Sequence, residues 1–146
     1  MVSTPNKYHA SISLKALESG KHVFCEKPLA LNPEDALTMV ETAIRNNVFL
    51  KTGSNLRYFP SVQKAKEMMD NNAIGEPFFL RGWIGNSGEH LQHSWYSNPE
   101  IIGGGTLLDN GSHLLDITRW FLGEVVECTG YVTTAFWPIN PLEDNG

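Results

Sequence analysis

The sequence predicts an α/β chain: part of a parallel sheet with its helices, followed by part of an α+β domain with an open sheet. Three observations carry this. Up to about Thr52, amphipathic stretches alternate with short apolar runs in an αβαβ pattern. After Pro77 the texture changes to strand, loop, helix, strand. Between Gly103 and Gly123, Leu107, Leu114 and Phe121 step by seven, as do Leu108, Leu115 and Leu122, the spacing of a helix.

Taken in order, Ser3-Thr4-Pro5-Asn6 reads as a turn. Tyr8 to Ser19 reads as a helix with Ile12, Ala16 and Leu17 on one side, stopped by Gly20. His22 to Glu26 is a short strand with an apolar middle. Pro28 removes a backbone donor and biases Lys27 to an extended backbone. The lysine is thereby presented at a strand's carboxyl end, where open α/β sheets bind ligands. The sequence leaves the isomer of the Lys27–Pro28 bond open.

Asn32-Pro33-Glu34-Asp35 has the chemistry of a helix start: an N-cap asparagine, a first-turn proline and two acids. The helix carries Ala36, Leu37, Val40, Ala43 and Ile44 and fades at Asn46-Asn47. Val48 to Gly53 is the next strand. Asn55-Leu56-Arg57-Tyr58-Phe59-Pro60 follows it, in the position Lys27 holds after the previous strand. A helix from about Ser61 to Asn71 carries Val62, Ala65, Met68 and Met69, and 71–77 is a turn. Phe78 to Gly85 reads as a strand. Residues 86–102 form a long polar loop with His90, His93, Trp95 and Tyr96. Val125 to Trp137 is a β-branched and aromatic strand ended by Pro138 and a polar tail. Trp83 and Trp137 read as sheet packing, and Cys25 as a small buried strand residue.

The helix between the glycines has a wide apolar arc, which predicts a mostly buried element. Asp109, His113, Asp116 and Trp120 fall within about 60° of one another on the same wheel. A buried helix without a task would fill that stripe with aliphatics, because unpaired buried polar groups are costly. Asp116 and Arg119, three apart, are candidates to pair with each other. His113 titrates near neutrality and suits proton transfer. Asp109 one turn away suits orienting the ring or holding a ligand hydroxyl, Lys27 suits developing negative charge, and the forked donors of Arg57 suit a hydroxyl or carboxylate.

The bulk composition narrows the class. The chain has 146 residues, 41% hydrophobic and 18% charged, which fits a globular protein and excludes a disordered one. Net charge is −5 with no basic run, which argues against nucleic acid or an anionic membrane surface as a partner. Met1 to Lys7 has no apolar h-region, and no run approaches the ~20 apolar residues of a membrane helix. Cys25 and Cys128 lack metal spacing and read as reduced thiols of a cytoplasmic protein. His90, His93 and Asp109 are metal-ligand types, but nothing in their spacing demands a metal, and none is expected.

Three residue groups together resemble one family. They are Thr4-Pro5-Asn6 with His9, then Gly20-Lys21-His22-Val23-Phe24-Cys25-Glu26-Lys27-Pro28, then Gly103-Gly104-Gly105 leading to Asp109-x-Gly111-x-His113, with Asn55-x-Arg57-Tyr58 between. In this the chain is similar to the glucose–fructose oxidoreductase / inositol dehydrogenase / rhizopine-catabolism (Gfo/Idh/MocA) oxidoreductases over nearly its whole length. The resemblance implies a partial Rossmann domain at 1–54, binding NAD or NADP, and the first part of an α+β substrate and oligomerisation domain at 55–146. It implies hydride transfer between the nicotinamide and a CH–OH group of a sugar or polyol. Lys27, Asp109 and His113 would then be catalytic. Thr4, Pro5, Asn6, His9, Glu26, Lys27 and Pro28 would line the cofactor, and Asn55, Arg57, Trp95, Tyr96, Asp109 and His113 the substrate. Trp95 and Tyr96 read equally as anchors of the long loop. A homo-oligomer through the open sheet is expected.

The chain contains no G-x-G-x-x-G, and its triglycine precedes the second domain's helix, which is the wrong context for that fingerprint. By resemblance it corresponds to the middle of such an oxidoreductase, short at both ends. Two other readings stay open on the sequence alone. One is a non-catalytic interaction module. The other is a relative that uses transient oxidation to cleave a glycoside or epimerise a sugar.

Overall fold

The computed structural model describes residues 1–89, 94–137, 139 and 141–146. The expectations placed on His90, His93 and Pro138 lie outside the described residues.

Asn6–Tyr8 forms a 3₁₀ turn that runs straight into α1, His9–Glu18. Gly20 follows at φ 72°, a left-handed backbone that a side chain would strain. β1, Val23–Cys25, is three residues long. α2 spans Pro33–Arg45, and the Asn32 side chain accepts from the Asp35 amide at 2.7 Å, the cap read from the sequence. β2, Leu50–Thr52, pairs parallel with β1 in the register Val23↔Leu50 and Cys25↔Thr52. Val2 bridges the other side of β1, its amide donating to the Phe24 carbonyl at 2.8 Å. The αβαβ unit is therefore present, with Glu26–Pro28 and Gly53–Tyr58 leaving the same carboxyl edge.

The core lies in the first third of the chain. Val2, Leu17, Val23, Cys25, Ala30, Met39 and Ala43 are buried together, flanked by Leu14, Leu29, Val48 and Leu50. Two helix faces differ from expectation. In α1 the buried positions are His9, Ser13 and Leu17, and Ile12 is exposed. In α2 the buried face is Met39, Thr42 and Ala43, while Leu37, Val40 and Ile44 face outward. In both cases apolar residues cover more than one face, and periodicity alone does not say which face meets the sheet.

α3, Pro60–Asp70, has no buried residue. The strands expected over 78–85 and 125–137 are not formed among the described residues; the only pairing there is an isolated antiparallel bridge, Thr133↔Asn145. Phe78 is 96% exposed and Trp83 88%. A β-propensity reports how a side chain fits a half-buried pleated surface, and among the described residues no neighbouring strand supplies one to these segments.

The later part of the expected loop 86–102 is helical: Trp95–Ser97 is a 3₁₀ turn and Pro99–Ile102 forms α4, after which a π-helical turn at Leu107–Gly111 leads directly into α5, Ser112–Leu122. The expected burial is not observed: of α5 only Ile117 is buried, and Leu115 is 54% exposed. The apolar arc has no sheet over it, for the same reason. The polar stripe, by contrast, is turned inward against the carboxyl edge of β1 and β2.

Candidate active site

Each strand delivers a short segment to this edge. From β1 come Glu26 and Lys27, with the Lys27–Pro28 peptide cis. From β2 come Gly53 and Ser54, followed by a 3₁₀ turn over Asn55–Tyr58. Gly53 leaves room for the Glu26 side chain: a Cβ there would lie 2.7 Å from a Glu26 carboxylate oxygen, which would have to turn aside.

Lys27 crosses to the π turn. Its Nζ donates to the Asp109 backbone carbonyl at 3.0 Å and forms an ion pair with the Asp109 carboxylate. The same carbonyl also accepts from Ser112 Oγ at 2.9 Å. A π turn holds more residues than the ~3.6 of an α-helix, so Asp109 and His113, four apart, come closer to eclipsing than in an ideal helix. π turns recur at functional sites, and this one carries the residue that grips Lys27.

The rest of the stripe is also engaged. Asp116 accepts from Arg57 Nε at 2.8 Å and Nη2 at 2.5 Å, and from Ser54 Oγ. The Arg57 guanidinium sits 5.4 Å from the centroid of the Trp120 ring. Arg119 pairs with Glu124 instead, so the expected Asp116–Arg119 pair is not formed. Asp116 and Ser54 were thus missed as partners of Arg57. The available signal was that Asp116 shares the wheel arc of Asp109 and His113, whereas Arg119 does not.

The electrostatics follow from burial and neighbours. Burial first, and the Lys27 cation second, lower the His113 pKa below 6.5 against the opposing pull of Asp109, Asp116 and Glu26. Burial works to raise Asp116, but the Arg57 and Ser54 hydrogen bonds outweigh it and hold its carboxyl below 3.8. Arg57 is raised, chiefly by its bond to Asp116. Burial raises the Tyr96 phenol, helped by the Asp109 and Glu26 carboxylates, which places that side chain within reach of the site's charges. Tyr96 stacks on Trp95 with ring centroids 4.0 Å apart.

Lys27, Glu26, Ser54, Asn55, Tyr58 and His113 line one hollow of about 420 Å³. A larger one of about 720 Å³ lies between the 82–88 segment, the helical stretch from Gly105 to Leu115, which includes Asp109, and the chain's last residues, with Tyr96 at its border. Neither Lys27 nor His113 lines it; both line the smaller hollow.

Of the residues expected on the cofactor side, Glu26, Lys27 and Pro28 follow β1, and Thr4, Pro5, Asn6 and His9 lie at the start of the chain. Asn6 is buried and donates from Nδ2 to the Ile102 carbonyl at 3.0 Å, tying the first turn to α4. His9 is 1% exposed and bonds only backbone and neighbouring side-chain groups behind the edge. The Thr4 hydroxyl is buried with no hydrogen-bond partner. Among the described residues no group of three or more His, Cys, Asp or Glu could hold a metal ion. No described helix is long and apolar enough to cross a membrane.

Comparison with known proteins identifies the family. The profile of an oxidoreductase family with an NAD-binding Rossmann fold matches residues 1–54, and that of the GFO/IDH/MocA C-terminal domain matches 62–146. Levoglucosan dehydrogenase of Pseudarthrobacter phenanthrenivorans is 34% identical over 151 residues, covering 99% of this chain and 38% of that protein. Myo-inositol 2-dehydrogenase of Thermotoga maritima is 35% identical over 131 residues, covering 87% of this chain and 36% of its own. The solved structure of levoglucosan dehydrogenase in complex with NADH and levoglucosan superposes with a TM-score of 0.72 at 34% identity, over 84% of this chain and 34% of that one. The chain thus spans between a third and two-fifths of the length of the relatives it matches.

Proposed function

The chain belongs to the Gfo/Idh/MocA family of NAD-binding oxidoreductases, and on that premise we propose that it carries residues of a hydride transfer between NAD or NADP and a CH–OH carbon of a sugar or polyol. The observation that carries this is the meeting of Lys27, Asp109 and His113 where the strands deliver their carboxyl ends. Residues 1–54 are read as the later part of the nucleotide-binding domain and 55–146 as the first part of the substrate domain.

The chain's start fits a nucleotide cofactor. A buried hydroxyl without a partner is costly, and Thr4 Oγ1 is such a group. Thr4, Pro5, Asn6, Glu26, Lys27 and Pro28 would form the cofactor side, with His9 behind them. The nicotinamide, when bound, supplies the acceptor for the hydride.

The remaining work falls to side chains. Burial and the Lys27 cation lower the His113 pKa and so favour the neutral ring, whose nitrogen can take the hydroxyl proton. The imidazolium that results is favoured by the Asp109, Asp116 and Glu26 carboxylates. The Lys27 ammonium, fixed by two oxygens of Asp109, is placed to stabilise charge developing on the substrate oxygen. Asn55, Trp95 and Tyr96 would border the sugar. Arg57 contributes by holding Asp116, since its fork is already occupied. The exposed aromatic residues Phe78, Trp83 and Phe136 suit burial against a second copy of the chain. The two free thiols suit a reducing compartment such as the cytoplasm.

Calorimetry with NAD and NADP, followed by an assay of reduced-cofactor formation over anhydrosugars and inositols, tests the reading. Micromolar binding, with turnover lost in both His113→Ala and Lys27→Ala, is the expected result. Normal turnover in both variants would end the assignment.

A further inference from the structure

His9 stands apart from the other histidines of the described chain. It opens α1, it is 1% exposed, and both of its ring nitrogens face backbone carbonyls. Nδ1 is 2.8 Å from the Pro28 carbonyl oxygen and Nε2 is 2.7 Å from that of Thr4. A carbonyl oxygen only accepts. A neutral imidazole has one N–H, so one of these two short contacts would set a lone pair against a lone pair. Only the doubly protonated ring satisfies both.

The two carbonyls belong to the two segments read as the cofactor side. Thr4 precedes the first 3₁₀ turn, and Pro28 follows Lys27 directly. The titratable group facing the ring from β1 is the Cys25 thiol, itself fully buried. We propose that His9 is a positioning residue, an imidazolium at neutral pH that donates one N–H to each loop and so fixes the segment carrying Lys27 against the segment carrying Thr4. Its consequence for catalysis rests on the reading of Lys27 given above; its charge and its two bonds do not.

The direction of its titration agrees. Burial pulls the ring's pKa down, yet Cys25 and the Pro28 and Thr4 carbonyls outweigh it and raise it to about 9. A raised histidine stabilises the fold fully below its ordinary value of 6.5, and that contribution is lost as pH rises through about 9.

Ring ¹⁵N–¹H correlation of the 146-residue chain tests this without any turnover. The expected result is one histidine with both ring nitrogens protonated at pH 7.5, slow solvent exchange, and a midpoint near 9. A bare ring nitrogen on His9 at pH 7.5 overturns the proposal. His9→Gln, which is neutral, tests the positioning. The wild type should lose stability in urea between pH 6.5 and 9, and the variant should lack that slope. The Glu26 and Lys27 amides of the variant should exchange at least tenfold faster. An unchanged slope, or unchanged protection at 26 and 27, counts against it. If His9→Gln does not fold, the ring protonation of the wild type still decides. A chain that binds no nicotinamide would defeat the functional reading and leave these measurements standing.

Discussion

Arg57 grips Asp116 across the junction between the parallel-sheet unit and the second half of the chain, with Nε 2.8 Å from one carboxylate oxygen and Nη2 2.5 Å from the other. The fork-on-carboxylate geometry fixes orientation as well as distance. Asp116 lies one turn beyond His113 on α5, so this contact sets how the helix presents His113 to Lys27. Ser54, just past β2, donates to the same carboxylate, so the grip comes from one short segment, 54–57. The two-strand sheet thus acts on the helix through side chains at its carboxyl edge.

Breaking this grip has a predictable cost. Arg57 is 40% exposed, so solvent screening reduces the pair's worth, and Arg57→Gln should destabilise the chain by about 1 kcal/mol. Urea denaturation at pH 7 measures it. Because the Asp116 carboxyl is held below its ordinary value, its contribution is present above pH 3.8 and lost as pH falls further. Asp116→Asn should flatten that acid limb, and a variant with the wild-type limb would show that Asp116 is not its source.

The ionisation of His113 gives a second test. Lys27→Met removes a cation that lowers the His113 pKa, so the ring should titrate at higher pH. Asp116→Asn removes a carboxylate that raises it, so the ring should titrate lower still. NMR titration of the His113 ring reads both shifts, and shifts of the same sign would contradict the arrangement. In the wild type the folded value is below 6.5, so stability attributable to His113 is full above that pH and declines as pH falls through the folded value. Where turnover is measured, kcat/KM should fall on the acid side below pH 6.5, and His113→Ala should reduce kcat by roughly 10²–10⁴-fold.

The cap of α2 gives a local test. Asn32→Ala removes the acceptor of the Asp35 amide and should cost about 1 kcal/mol in thermal or urea unfolding. Asn32→Ser keeps an acceptor and should recover most of it. Equal losses in the two variants would show that the cap bond is not what stabilises the helix start.

These cases mark what was legible in the sequence. The cap at Asn32, the stop at Gly20 and the presentation of Lys27 were readable because each depends on neighbours in the chain. The stripe Asp109-His113-Asp116-Trp120 was readable because helical spacing fixes it, even though the first turn proved to be π rather than α. Partner choice was not readable. Arg57 meets Asp116 from 59 residues away, and only the meeting of the β2 edge with α5 determines that. The strands at 78–85 and 125–137 failed for a related reason: their apolar content is real, but a ladder needs a second strand, and the sequence of one does not supply it. The inward face of α1 was misread because two of its three buried residues, His9 and Ser13, are polar, and the partners that make His9 tolerable are backbone carbonyls invisible to any periodicity.

The last prediction concerns how the chain's final residues hold the helix that carries Asp109. The Glu143 carbonyl accepts from the Thr106 amide at 2.9 Å, and its side chain accepts from the Leu107 amide at 3.0 Å. These donors belong to the start of the π turn, where amides lack partners within the helix. Asp144 in turn accepts from the amides of Ala135, Phe136 and Trp137, which hold its carboxyl far below the ordinary range. The Glu143 contacts depend on Gly105, because a Cβ there would lie 1.9 Å from the Glu143 carbonyl oxygen. That obstacle is backbone, so no side-chain rotation relieves it. Gly105→Ala should therefore displace the tail, free the Thr106 and Leu107 amides and cost about 1–3 kcal/mol. Gly130→Ala, where a Cβ would meet nothing within 4 Å, is the matched control. Hydrogen exchange separates the outcomes: faster exchange at 106 and 107 in Gly105→Ala alone is expected. The Lys27–Asp109 contact should loosen with it, because the turn that presents the Asp109 carbonyl would have lost its anchor. Exchange at 106 and 107 that matches the Gly130→Ala control would mean that the turn holds its shape without the tail.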